Sequence, residues 1–301
     1  MIRILLRGQT GNNLFQYAAA RCLARQHDSS LVLDGSWQRN HDWKQAQQLR
    51  RLNLAATFER PFPFLSKVCR KLANRHPREF LISDVFRESD SDHTHSPEFH
   101  HLGSNSFLSG YFQTPLYFPD LRGTLQQEIN YRELPADARS LEIIQELAKP
   151  NTVSVHVRRG DFLTYQDTQV CNDGYHDRAL TWMREQLHNP VFWIFSDDLT
   201  WCRSRFQGPE FRFADARQSQ TDPLNDMRLM SHAAHHIMMN SSYSWWATWL
   251  HWHPGKLVIM PHAWNTGSCI IPVEQKAEPG WTVIHGSMNG VEPYTIPNYQ
   301  V

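Results

Sequence analysis

The densest run of groups able to do chemistry is His156-Val157-Arg158-Arg159-Gly160-Asp161, which follows directly on the apolar Val153-Ser154-Val155. A guanidinium at the end of a strand is a rigid, always-charged fork that matches phosphate oxygens. Arg158 and Arg159 are therefore candidates to hold a phosphorylated ligand, with His156 beside them. Asp161 is placed either to orient an arginine or to take a proton. The same residues also fit a surface arginine–aspartate ion pair, and His156, inside the strand, also fits a core histidine with both nitrogens satisfied.

Other clusters stand at comparable positions. Phe195-Ser196-Asp197-Asp198 closes another apolar run and brings Asp197 to a strand end. Asn240-Ser241-Ser242-Tyr243-Ser244 precedes the helical pattern Trp245-Trp246-Ala247-Thr248-Trp249-Leu250. Free N–H groups at such a helix start attract anions, and the hydroxyls of Ser241, Ser242 and Ser244 add donors; plain capping uses the same geometry. Asp226 sits on a helix just before the strand that ends in Asn240, where a carboxylate can accept from guanine N1–H and N2–H together. A solvated acid favoured by the helix dipole fits there as well. Near the start, Gly8-Gln9-Thr10-Gly11-Asn12-Asn13 is a glycine turn but not a P-loop, since no Gly-Lys-Ser/Thr follows. Asn12 and Asn13 are candidates for a sugar or cleft contact, or for an ordinary turn with an amide cap.

No metal site is expected. His232 and His236 are four apart, but no glutamate follows His232, so the pair is not a His-Glu-x-x-His motif. Asp90-Ser91-Asp92 has the spacing of a manganese-binding Asp-x-Asp, yet it lies in a polar tract running from Ser89 to His101 and reads as loop.

The elements that must position these groups alternate regularly in the second half. Strands are predicted near 153–157, 191–195, 211–214, 236–239 and 257–260, separated by helices near 175–187, 199–206, 223–233 and 244–252. That is the pattern of a doubly wound parallel sheet, whose ligands bind at the carboxyl ends of the strands. The first half begins with a strand over Ile2–Leu6, a helix through Leu14, Ala18 and Cys22, and a strand at Leu31–Asp34. From Trp37 to Gly110 only insertions and helices of uncertain limits are legible. The expectation is an α/β protein of two Rossmann-like domains facing across a cleft: residues 1–150, residues 151–285, and 286–301 as a tail packed back over the first half.

Composition sets outer limits. The 301 residues carry 30 basic and 30 acidic side chains, so any electrostatic site comes from local clustering and a basic nucleic-acid surface is not expected. The 5 cysteines are widely spaced, without a Cys-x-x-Cys pair, which points to a reducing compartment. The opening apolar run is too short for a signal peptide and no run is long enough to span a membrane, so a cytoplasmic protein is expected. Phe62–Leu72 mixes apolar and basic residues in a way that fits peripheral membrane contact, or a helix covering the first domain.

Taken in order, Gly11-Asn12-Asn13-Leu14-Phe15-Gln16-Tyr17-Ala18, His156-Val157-Arg158-Arg159-Gly160-Asp161, Phe195-Ser196-Asp197-Asp198, Asn240-Ser241-Ser242-Tyr243-Ser244-Trp245-Trp246 and Pro261-His262-Ala263-Trp264 resemble the family 11 glycosyltransferases, the alpha-1,2-fucosyltransferases. The resemblance runs over nearly the whole chain. It implies a GT-B fold, with residues 1–150 on the acceptor side and 151–285 as the donor domain, and metal-independent, inverting transfer from GDP-beta-L-fucose, a co-substrate rather than a cofactor. The usual acceptor is the 2-hydroxyl of a terminal galactose, in an oligosaccharide or a lipid-linked glycan. By the resemblance Arg158 is the key pyrophosphate contact, flanked by His156 and Arg159. Asp226 reads guanine, and Ser241, Ser242 and Ser244 touch phosphate, with Asp197 and Asn240 on the same donor side. Tyr243 stands where phenylalanine is common and Thr248 where alanine is common. A non-catalytic GDP-sugar-binding or glycan-binding module and a fucosyltransferase acting on protein are the competing expectations.

Overall fold

Ile2, Ile4 and Leu5 are shut off from solvent in β1 (Ile2–Leu5), as in a strand covered on both faces, where apolar residues run on rather than alternate. Gly8, at φ +67, then turns the chain, and the side chain of Asn12 occupies the space a Cβ would need. The turn leads into α1 (Thr10–Gln26), which buries Leu14, Phe15, Ala18 and Leu23. β2 (Leu31–Asp34), α2 (Asn40–Gln48), β3 (Thr57–Glu59), β4 (Asp84–Arg87), β5 (Ser106–Ser109) and α3 (Arg122–Glu128) follow. The computed structural model describes residues 1–36, 40–59, 82–89, 93–164, 170–171, 173–215, 222, 224–265, 272–286 and 292–297.

The first sheet has the order β3-β2-β1-β5-β4 and every pairing is parallel. Buried Arg3 on β1 ties three strands together through Asp34 on β2 at 3.1 Å and Glu59 on β3 at 2.5 Å. Strands run outward from β1 to β3, and the chain then returns on the other side, so the order reverses between β1 and β5. The stretch that the sequence left as insertions thus supplies three strands. They were hard to see because β5 offers only Phe107 and Leu108 as apolar residues, while β4 is a half-exposed edge.

The second sheet has the order β12-β11-β10-β9-β6-β7-β8. Its members are β6 (Thr152–Val157), β7 (Val191–Ser196), β8 (Phe211–Phe213), β9 (His235–Ile237), β10 (Val258–Pro261), β11 (Thr282–Ile284) and β12 (Tyr294–Thr295). All pairs are parallel except β11 with β12. The helices are α4 (Ala138–Leu147), α5 (Asp173–Gln186), α6 (Leu199–Arg205), α7 (Asn225–Ser231) and α8 (Ser242–Trp249). Val153, Val155, Tyr175, Phe192, Ile194, Ile237 and Ile259 form the core beneath them. Two side-chain caps start helices where orphan N–H groups need partners: Asp137 accepts from Ser140 N at 2.7 Å, and Asp198 from Trp201 N at 3.0 Å.

The two α/β units divide between Asn130 and Tyr131, against an expected limit at 150. The reason lies in buried polar contacts. Tyr131 Oη donates to the Trp246 carbonyl at 3.0 Å, Arg132 donates to Ser231 Oγ at 3.0 Å, and Arg228 donates to the carbonyls of Leu134 and Pro135 at 2.6 and 2.7 Å. Residues 131–147 are thereby tied to α7 and α8. Within the expected tail, Tyr294–Thr295 pairs antiparallel with β11 and so adds an edge strand to the second sheet. No helix among the described residues is long and apolar enough to cross a membrane, and Phe62–Leu72 lies outside the described residues.

Candidate active site

In the second sheet the chain runs from β6 out to β8 and returns to β9 on the far side of β6. The strand order therefore reverses between β6 and β9, the crevice where doubly wound sheets bind ligands. The carboxyl end of β6 carries His156, Arg158 and Arg159, and that of β9 carries Met239, Asn240 and Ser241. The two ends are joined directly, since Arg158 N–H donates to Met239 Sδ at 2.8 Å.

Each group is positioned by its neighbours. Asp197, at the end of β7, accepts from Arg159 N at 2.9 Å and Gly160 N at 3.1 Å. A Cβ at position 160 would stand 2.8 Å from that carboxylate, so glycine lets the loop close on Asp197. The Arg159 guanidinium donates to Asp198 at 3.2 Å and lies 3.8 Å over the Trp201 ring. Asp197 and Arg159 thus brace the loop that presents Arg158, whose own guanidinium lies 5.3 Å from the Phe162 ring. Asp161 opens a single helical turn, Asp161–Leu163; its side chain is outside the described residues, as is Asp90-Ser91-Asp92.

His156 is 8% exposed. Burial first, then the charge of Arg158 and the neighbouring His176, push its pKa down to about 3, so the imidazole is neutral at pH 7. Its Nδ1 is buried with no hydrogen-bond partner among the described residues. The ring lies 6.0 Å from that of Tyr243 in the first turn of α8. The Tyr243 hydroxyl accepts from Met227 N at 2.9 Å, and its pKa is raised well above the ordinary value by burial and then by the charge of Asp226. Asp226, Tyr243, His156 and Arg158 consequently form one neighbourhood, although 68 positions separate Arg158 from Asp226 in the sequence.

The serines divide. Ser241 stands at the cap position of α8 with extended backbone and makes no side-chain cap hydrogen bond. Ser244 is buried and its hydroxyl lies 3.2 Å from the Ser241 carbonyl, a structural contact. Ser242 is half-buried at the first helical position. Asn240 donates to the Trp264 carbonyl at 2.8 Å and so anchors the segment after β10. Lys276 lies 3.9 Å over the Trp264 ring.

In the first unit, Asn12 and Asn13 take different parts. Asn13 is buried and donates to the Arg7 carbonyl at 3.0 Å and to Gln16 Oε1 at 3.1 Å, holding the glycine turn in place. Asn12 is half-buried and accepts from Gln113 Nε2 at 2.7 Å, spanning the reversal between β1 and β5.

Sequence reasoning missed Trp201, Met239 and, as a site residue, Tyr243. Trp201 had a signal: it follows the Asp198 cap by three positions, which puts it in the first turn of α6 at the same sheet edge. Met239 had none, because an apolar residue ending a strand looks like core. Among the described residues no group of three or more His, Cys, Asp or Glu side chains is arranged to hold a metal ion.

Relatives bear directly on this site. An alpha-1,2-colitosyltransferase of Escherichia coli is 28% identical over 271 residues, which is 86% of this chain and 90% of that protein. An O-antigen biosynthesis glycosyltransferase, also of Escherichia coli, is 27% identical over 288 residues, 87% of this chain and 94% of that protein. A galactoside 2-alpha-L-fucosyltransferase of Bos taurus is 31% identical over 155 residues, 48% of this chain and 41% of its own length. The model of Glycosyl transferase family 11 matches residues 65–285, a span that takes in the ends of β6, β7, β9 and β10, and the chain belongs to that family of glycosyltransferases.

Proposed function

We propose that this glycosyltransferase moves L-fucose from GDP-beta-L-fucose to the 2-hydroxyl of a terminal galactose, with inversion and without a metal. The observation that carries the reading is the meeting of Arg158, His156, Asp226 and Ser241 around the reversal between β6 and β9. A fixed guanidinium and a helix start supply positive charge where a departing nucleoside diphosphate gathers negative charge. In a single displacement the acceptor oxygen attacks the anomeric carbon and GDP leaves with the electron pair of the broken bond. Arg158 is stabilising only to the extent that charge develops there, which makes it a transition-state contact. Asp226 accepts from the guanine edge, and neutral His156 offers a polar ring beside the pyrophosphate without adding charge. Asp161 orients the loop or takes the acceptor proton.

A second donor has specific support, because one full-length relative is a colitosyltransferase. Colitose differs from fucose in lacking the 3-hydroxyl, so both nucleotide sugars fit the same phosphate and base contacts. The test is an acceptor panel of lactose, type 1 and type 2 N-acetyllactosamine and beta-1,3-galactosyl-N-acetylgalactosamine, free and lipid-linked, with GDP-fucose or GDP-colitose in EDTA. Acceptor-dependent release of GDP with a 2-linked product supports the proposal. Donor binding without transfer points to a binding module, and transfer only to folded polypeptide points to a protein-modifying enzyme. Loss of activity in EDTA, restored by manganese, defeats metal independence. Flotation with anionic liposomes tests peripheral membrane contact.

A further inference from the structure

The helix that carries Asp226 starts without the usual cap. The first N–H groups of a helix need partners from outside it, most often a side-chain oxygen at the cap position. At α7 that position is Leu224, in helical backbone and with no acceptor to offer. Asn225 N–H donates to the Asp222 carbonyl at 3.1 Å. Met227 N–H donates to the Tyr243 hydroxyl at 2.9 Å, so a phenol 16 positions further on takes the place of the missing cap.

That bond acts next to Asp226. The N–H of Met227 lies in the peptide plane that also holds the Asp226 carbonyl and Cα, so tethering it fixes the backbone from which the Asp226 side chain springs. Asn225 and Met227 are buried and Asp226 is half-buried, so the acid is what the first turn presents. The far side of the turn is held as well, since Arg228 donates to Asn225 Oδ1 and to the carbonyls of Leu134 and Pro135. Tyr243 is itself seated against His156, with the ring planes at 39°, and so reaches from the end of β6 to the start of α7. Burial and then the charge of Asp226 keep its phenol protonated, which leaves the oxygen a neutral acceptor.

We infer that Tyr243 is a positioning residue for base recognition: its hydroxyl caps α7 at Met227 and thereby fixes the direction in which Asp226 offers its carboxylate to the guanine edge. The inference rests on the reading of Asp226 as the guanine acceptor. Accepting from N1–H and the 2-amino group together demands a fixed carboxylate plane, whereas a single bond tolerates a swing of the acid. In this role Tyr243 acts through Asp226 and not on the base itself.

The experiment compares the full chain as wild type, Tyr243→Phe, Asp226→Asn and the double variant. Calorimetry measures binding of GDP and of IDP, whose base lacks the 2-amino group, and steady-state assays follow GDP release from GDP-fucose with lactose. Tyr243→Phe removes one neutral hydrogen bond and should weaken GDP binding about 3- to 10-fold, with a smaller loss for IDP, so that the preference for GDP narrows. Donor KM should rise by the same factor while kcat stays within about twofold of wild type, as for binding energy shared by ground and transition states. In the Asp226→Asn background the same change should cost less than about 1.5-fold, because the two residues act as a unit. An equal loss for both nucleotides, no loss for either, or the full loss repeated in the Asp226→Asn background overturns the inference; a loss of GDP affinity in Asp226→Asn alone then leaves the guanine reading standing. Asp226→Asn that binds GDP and IDP as wild type does overturns both. Amide exchange on the wild-type chain needs no variant: the Met227 N–H should be protected in the free protein. Exchange there at the solvent rate overturns the capping role even if Tyr243→Phe does not fold.

Discussion

The carboxyl edges of the two sheets share a plan but not a charge. Each has a strand order that reverses beside its first strand, and at each a turn after that strand meets polar groups from the strand across the reversal. At the second sheet the groups are Arg158, neutral His156 and the start of α8, with Asp197 and Asp198 spent on bracing. At the first they are amides, a buried carboxylate and an imidazole: Asn12, Gln113, Glu88 and His93. One edge presents a guanidinium and a helix start, the other amides, a carboxylate and an imidazole. The same topology serves both because a doubly wound sheet fixes where ligands sit and leaves their chemistry to the loops.

Substitutions that separate the two edges test this contrast. Arg158→Ala should lower kcat by about 10²- to 10³-fold, the usual loss for one preorganised charge-stabilising donor, measured by steady-state GDP release. Near-normal turnover would remove the second edge from the chemistry. Asp226→Asn should weaken GDP binding by about 10- to 100-fold and reduce preference for guanine over adenine nucleotides in calorimetry, since a charged acceptor is worth roughly 1.5–3 kcal/mol. If GDP affinity holds, the guanine is read elsewhere.

Acid should weaken the second unit. His232 and His251 have pKa values lowered to about 4 and 3, in both cases first by burial and then by Arg132 and neighbouring cations. Above pH 6.5 both folded and unfolded chains are neutral at these rings and stability is full. As pH falls below 6.5 the unfolded chain takes protons that the folded one refuses, so stability drops until about pH 3–4. His251→Gln should flatten that decline by on the order of 1 kcal/mol at pH 5 in denaturant titrations. An unchanged slope would show that the ring titrates freely. The smallest effect belongs to the first edge. Asn12→Ala should raise acceptor KM by about 3- to 10-fold, one neutral hydrogen bond, and leave GDP affinity untouched. A matching loss of GDP affinity would break the division of labour.

Much of the second unit was legible because its strands are continuous apolar runs of usable length, and each ends where charge or amides begin. The predicted strand at 191–195 and the observed Val191–Ser196 differ by one residue. The first unit was legible only through Asp34. Short strands such as Ser106–Ser109 take their stability from the neighbours on either side, so local pattern says little about them. His93 lay in a polar tract that reads as loop, with Glu88 just ahead of it, and nothing in their spacing marks one as the partner of the other.

What the sequence determined by itself was the set of chemistry-bearing strand ends and their family, since arginine, serine and asparagine types at strand ends are local facts. Only the tertiary structure decided which ends meet. β6 and β9 are neighbours because the chain reverses direction across the sheet, and from that pairing follow the contact of Arg158 with Met239 and the approach of Asp226 to Tyr243. It also decided which charges are spent: Asp197 and Arg159 are occupied in bracing because a loop that must hold a guanidinium still needs its own N–H groups satisfied.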